Sequence, residues 1–144
     1  MSRFKITAQF KLVGDKRLQS VLKSCNPSFA RKVMRAGIRA GLQPIVAQAR
    51  LDAPERTGLL RAAIKAQVNK RGASGKVFVD PSMNMEYEGR PYQPAKIAHI
   101  LEFGSRKAAA QPFMRPALAL RRPEAIALIN AKVRSALAKE GFRG

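Results

Sequence analysis

Residues 97–116, IAHILEFGSRKAAAQPFMRP, restrict the fold more than any other stretch, because an apolar run, a lone carboxylate, a glycine and two prolines follow one another in a single block. Ile97, Ala98, Ile100, Leu101 and Phe103 are too many apolar side chains for a solvated loop, and Gly104 offers the positive φ at which an element of this length ends. Ser105, Arg106 and Lys107 turn the chain polar, and after a run of alanines Pro112 and Pro116 bracket Phe113, Met114 and Arg115 and fix the backbone around one aromatic. Such a block joins two packed elements and is not built like a catalytic loop. The pattern of 95–103 fits a helix through Ile97/Leu101 and a strand through Ile97/His99/Leu101/Phe103; helix is the preferred reading.

The chain before this block divides by period. Phe4, Ile6, Ala8, Phe10 and Leu12 alternate with polar residues from Arg3, which predicts a half-buried strand over 3–12. Gly14 ends it, and Asp15 caps a short helix over 16–24 with Leu18, Val21 and Leu22 inward. Pro27 opens a longer helix to about residue 51, with one apolar stripe through Phe29, Val33, Ala36 and Ala40 and a second through Met34, Ile38, Leu42 and Ile45. Two stripes require cover on more than one side. Arg31, Arg35 and Arg39 form the remaining, basic face, and Pro44 should kink or divide the helix. Ala53-Pro54 stops it; Thr57 then caps a turn carrying Leu59 and Leu60 inward, and Gly58 allows another backbone to come close. Ile64, Ala66 and Val68, then Val77 and Val79, alternate on either side of a turn over 71–75 and predict a hairpin. That turn lacks the GxxxxGK[ST] pattern of a phosphate loop. Residues 80–94, with three prolines, read as a long mobile loop. Beyond Pro116, Ile126, Ile129, Val133, Ala136 and Leu137 mark a final helix that restarts at Pro123 and stops at Gly141. The sum is an α+β fold in one domain over 1–144: a small antiparallel sheet, made of the N-terminal strand and the central hairpin, packed against a long N-terminal helix and a C-terminal helix.

A length of 144 residues can bury a core without staples. The net charge of +19 is spread over both halves of the chain, so it belongs to the folded surface and favours polyanions or acidic protein partners. Cys25 and His99 are the sole residues of their types, which excludes an intramolecular disulfide and the usual zinc or histidine-based catalytic sets; no cofactor or metal is expected. Cys25 reads as a small core residue and His99 as packed or partly exposed. No secretory-type apolar core opens the chain and no run of about 18 apolar residues occurs, so no membrane contact is expected.

Two stretches then align with one pattern. Ala53-Pro54 followed by Thr57-Gly58-Leu59-Leu60-Arg61, and, after a hairpin, Glu102-Phe103-Gly104-Ser105 followed by Pro112-Phe113-Met114-Arg115-Pro116-Ala117, resemble in order and spacing the signatures of the HK97-gp10-like family of bacteriophage minor tail components. Ser105 stands where the family has threonine, which keeps the hydroxyl, and Ile97 where it often has tyrosine. The resemblance implies a structural subunit, not an enzyme, that assembles with itself into a ring, hexameric in the family, at the head-proximal end of a tail with double-stranded DNA passing through. It also implies head-connector and tail-tube or terminator proteins as partners, residence in the tail or neck of the virion, and assembly in the host cytoplasm. Thr57, Arg61, Glu102, Phe103, Gly104, Arg106, Lys107, Phe113 and Arg115 become candidate interface residues.

Glu102, flanked by Leu101 and Phe103, is either a buried or interfacial carboxylate paired with Arg61 or Arg115, or a surface glutamate at an element end. Phe113 either packs within its own subunit, the preferred reading, or anchors in a neighbour's pocket. The basic surface has three readings, a DNA channel lining, a contact for acidic proteins or a solvated face; acidic proteins are preferred, because DNA must slide past and is held more tightly by each added phosphate contact, whereas Arg31, Arg35 and Arg39 on one helical face, with the charge, motivate a competing reading. The competing function is a small basic nucleic-acid-binding protein, although no helix-turn-helix, zinc-finger or ribonucleoprotein signature is present.

Overall fold

The computed structural model of the chain describes residues 5–8, 16–54, 58–69 and 74–139. The outer parts of the first strand, Asp15, Thr57, the hairpin turn at 71–73 and Gly141 lie outside the described residues. Three strands, β1 (Lys5–Ala8), β2 (Ile64–Val68) and β3 (Gly75–Val79), form an antiparallel sheet in the order β1-β3-β2. Val77 sits opposite Ile6 on one side and Ala66 on the other, and Ile64 lies opposite Val79. Ile64, Val77 and Val79 are buried on one face, as the alternation required. The α+β arrangement and the composition of this sheet are those expected.

That face lies on α2 (Pro27–Asp52), which along its Gly37 and Gly41 side meets α5 (Met114–Lys139) in the most extensive contact among the described residues. Asn26 begins α2 by accepting the Ser28 N–H at 2.9 Å, and Pro27 occupies a first-turn position that needs no donor. The second apolar stripe is thus covered within the chain, with Ile38, Leu42 and Ile45 buried, whereas in the first Val33 is buried and Phe29, Ala36 and Ala40 are half-buried. Close approach of the two long helices depends on Gly41, where a Cβ would lie 2.6 Å from Ile129 Cγ1 and 2.9 Å from the Ala125 carbonyl oxygen. Ile129, Val133 and Leu137 of α5 are buried against it.

Several expectations are corrected. α2 is not divided at Pro44, since Leu42 and Ile45 on either side are buried and each contributes about 1.5–3 kcal/mol, enough together to offset one interior proline. α5 does not restart at Pro123; it runs from Met114 through both Pro116 and Pro123. Pro116 lies in the first turn, and Pro123 and Ala119 are both exposed, so water can take the carbonyl that Pro123 leaves without a donor. Nothing lies within 4 Å of a Cβ built on Gly58; its φ of 72° at the start of α3 (Leu59–Ala63), and not a close backbone, is what calls for glycine.

Residues 80–94 are not all loop. They hold a second hairpin, β4 (Met85–Tyr87) and β5 (Arg90–Tyr92), whose two-residue turn has Glu88 at φ 52° and Gly89 at φ 74°, the positive pair that matches strand twist. Asp80 precedes it, accepting from Lys65 Nζ at 2.7 Å, from Ser82 Oγ at 2.6 Å and from the Ser82 N–H at 2.9 Å; the Lys65 bond leads in lowering its pKa to about 2. The stretch with two possible periods is helical, α4 (Pro94–Phe103), and packs on α3, while α1 (Lys16–Ser24) rests on α2.

Candidate functional site at the junction of α4 and α5

α4 ends where Gly104 takes a φ of 78° and its N–H donates to the Ile100 carbonyl at 2.7 Å. A Cβ there would sit 3.0 Å from the Ala110 nitrogen, so the loop folds back over the helix end. The loop is held by its own backbone: Ser105 N–H to the Ala108 carbonyl at 2.8 Å and Gln111 N–H to the Leu101 carbonyl at 2.6 Å. The Ser105 hydroxyl accepts from the Lys107 N–H at 3.3 Å, the local bond that a hydroxyl at this position supplies.

Glu102, only 2% exposed, is the centre of the junction. Its Oε2 accepts the N–H groups of Phe113 at 2.9 Å and Met114 at 3.1 Å, and its Oε1 accepts the Arg115 N–H at 3.0 Å and Arg115 Nε at 3.1 Å. These are the donors that the start of α5 cannot satisfy within the helix, and the next position is Pro116, which has none. One carboxylate from α4 therefore caps the whole first turn of α5, at the positive end of its dipole. Burial alone would raise the Glu102 pKa, but the N–H donors of Arg115, Phe113 and Met114 and the Arg115 side chain outweigh it and hold the carboxyl below its ordinary value.

Of the two arginines considered as partners, Arg115 is the one paired with Glu102. It also donates from Nη2 to the Glu102 carbonyl at 3.3 Å and lies 4.7 Å over the Phe103 ring. Phe103 is 54% exposed and has the His99 ring tilted against it at 5.0 Å between centroids. Phe113, 1% exposed, packs in its own core at the start of α5. Arg106 and Lys107 are exposed beside Phe103, Gly104 is half-buried, and Arg61 is half-buried on α3. Because α3 packs on α4, the two sequence signatures meet; Leu60 and Leu101 line one cleft of about 630 Å³ with Tyr87, Pro91 and Tyr92 of the second hairpin.

Two features were not foreseen. Buried Gln48 donates to both Asp52 oxygens at 3.0 and 2.9 Å and accepts from Arg121 Nε at 3.0 Å, tying α2 to α5; Arg121 also pairs with Glu124. Only the apolar setting of Gln48 hinted at this. The second is the capping role of Glu102, for which the one sequence signal was that Phe113 has no side chain able to cap the helix that follows. Arg31, Arg35 and Arg39 are distant from the junction in sequence and share a groove on α2. No helix among the described residues is long and apolar enough to cross a membrane, and no group of metal-binding side chains occurs among them.

With this geometry established, a family model described as "Bacteriophage HK97-gp10, putative tail-component" matches residues 15–104, more than half of the chain. The match includes Glu102 and Gly104 and stops before Phe113 and Arg115. No curated protein and no solved structure matches the chain.

Proposed function

The chain belongs to the HK97-gp10-like family of bacteriophage tail components, and from that premise we propose that it is a structural ring subunit that closes the head-proximal end of the tail and joins it to the head. The family match carries this reading. The side chains support it: the Glu102 carboxylate is consumed by capping α5, which suits a rigid scaffold.

In this reading the whole chain acts as one domain. Glu102, Gly104 and Phe113 set the frame, and Phe103, Arg106, Lys107, Arg115 and Arg61 present a surface to neighbouring subunits, in a ring that is hexameric. Phe103 and half-exposed Ile100 supply the apolar centre of that surface and the arginines its polar rim. Thr57 belongs to the same group by sequence. Head-connector and tail-tube or terminator proteins meet the ring on its two sides, and double-stranded DNA passing through makes at most weak, non-specific contact. The protein resides in the tail or neck of the virion after assembly in the host cytoplasm.

Deleting the gene tests the proposal. Lysates should then contain filled heads and separate tails, with infectivity restored by supplying the protein. Joined, infectious particles without it would overturn the reading.

A further inference from the structure

The basic face of α2 is more than a row of solvated charges. Ser28, Arg31, Lys32, Arg35, Ala36 and Arg39 line a groove of about 660 Å³, a volume of the order that holds a small ligand or a few residues of chain. No carboxylate pairs with Arg31, Lys32, Arg35 or Arg39 among the described residues, and the first turn of α2 contains no acidic residue. Arg31 Nε donates back to the Pro27 carbonyl at 3.4 Å, which lays that side chain along the helix. Arg35 is half-buried, and its Nε is shielded from solvent without a hydrogen-bond partner.

We propose that this groove binds an acidic segment of a partner protein, whose carboxylates pair with Arg31, Arg35 and Arg39. The spacing favours such an occupant. Steps of one helical turn place the three guanidinium stems about 6 Å apart along the axis, matching glutamates at every fourth position of a helix. Alternate residues of an extended strand fall at about 6.6 Å, nearly the same interval. Arginine forks suit carboxylates in two-point contact. Duplex DNA carries one charge per about 1.7 Å of its axis on a broad convex surface, and a single helix face meets few of those phosphates at once. The tail-component reading enters only as the source of the acidic partner; binding by the purified chain is scored without particles, so either idea can fail alone.

The test is fluorescence anisotropy of the full chain with two probes at physiological ionic strength: a labelled helical peptide with glutamate at every fourth position, and a labelled duplex of equal net charge. The peptide should bind more tightly than the duplex, and the double variant R35Q/R39Q should weaken it by about tenfold or more. R122Q/K132Q, which removes the same charge from exposed positions of α5, should change it by less than about twofold. R31Q/R39Q, altering only exposed residues, serves if the Arg35 variant does not fold. Equal losses from the α2 and α5 variants, no loss from the α2 variants, or tighter binding of the duplex would each overturn the proposal.

Discussion

A carboxylate that accepts three consecutive backbone N–H groups fails differently from one that only pairs with an arginine. In E102A the Phe113 and Met114 donors stay buried without acceptors, so a loss of about 2–4 kcal/mol is expected in denaturant unfolding. R115A leaves those bonds intact and removes a half-exposed partner, so about 1 kcal/mol is expected. The same bonds fix the pH dependence. The folded-state pKa of Glu102 lies below its ordinary 4.5, so the unfolded chain binds the proton more readily; the stabilisation is complete above that value and is lost as pH falls through the folded pKa. Thermal midpoints recorded from pH 7 to pH 3 should therefore fall more steeply for the wild type than for E102Q. Burial of Glu102 was one of two readings that Leu101 and Phe103 on either side allowed. Its capping role was not legible, because the donors lie eleven to thirteen residues on and become neighbours only when Gly104 reverses the chain.

At the scale of elements, the layered core turns on how closely α2 and α5 approach. G41A puts a methyl group against Ile129 and against the Ala125 carbonyl, and backbone cannot move aside as a side chain can; a cost of about 1–3 kcal/mol is expected from the denaturant midpoint. Periodicity was enough to find β1 to β3, α1, α2 and the body of α5, since each buries a stripe or a face whose spacing is fixed by local geometry. It erred at Pro123, where exposure to water lets a helix run on through an interior proline, and where a turn departs from the usual residues. Glu88-Gly89 differs from the favoured Asp-Gly pair by one methylene, and three-residue strands containing Pro91 leave almost no alternation to read.

At the scale of the whole molecule, a surface carrying +19 repels its own copies in solution. The proposed ring of such subunits therefore needs either close apolar contact, for which exposed Phe103 and Ile100 at the junction are candidates, or partners of opposite charge. F103A should leave the fold intact and reduce ring formation, read as a shift towards monomer in analytical ultracentrifugation. The claim that organises all of this is position: a ring where tail meets head. Immuno-electron microscopy of intact particles, using an antibody or epitope tag on this chain, measures that position directly. The account predicts label at a single collar between head and tail; label spread along the tail tube, or confined to the distal tip, would contradict it.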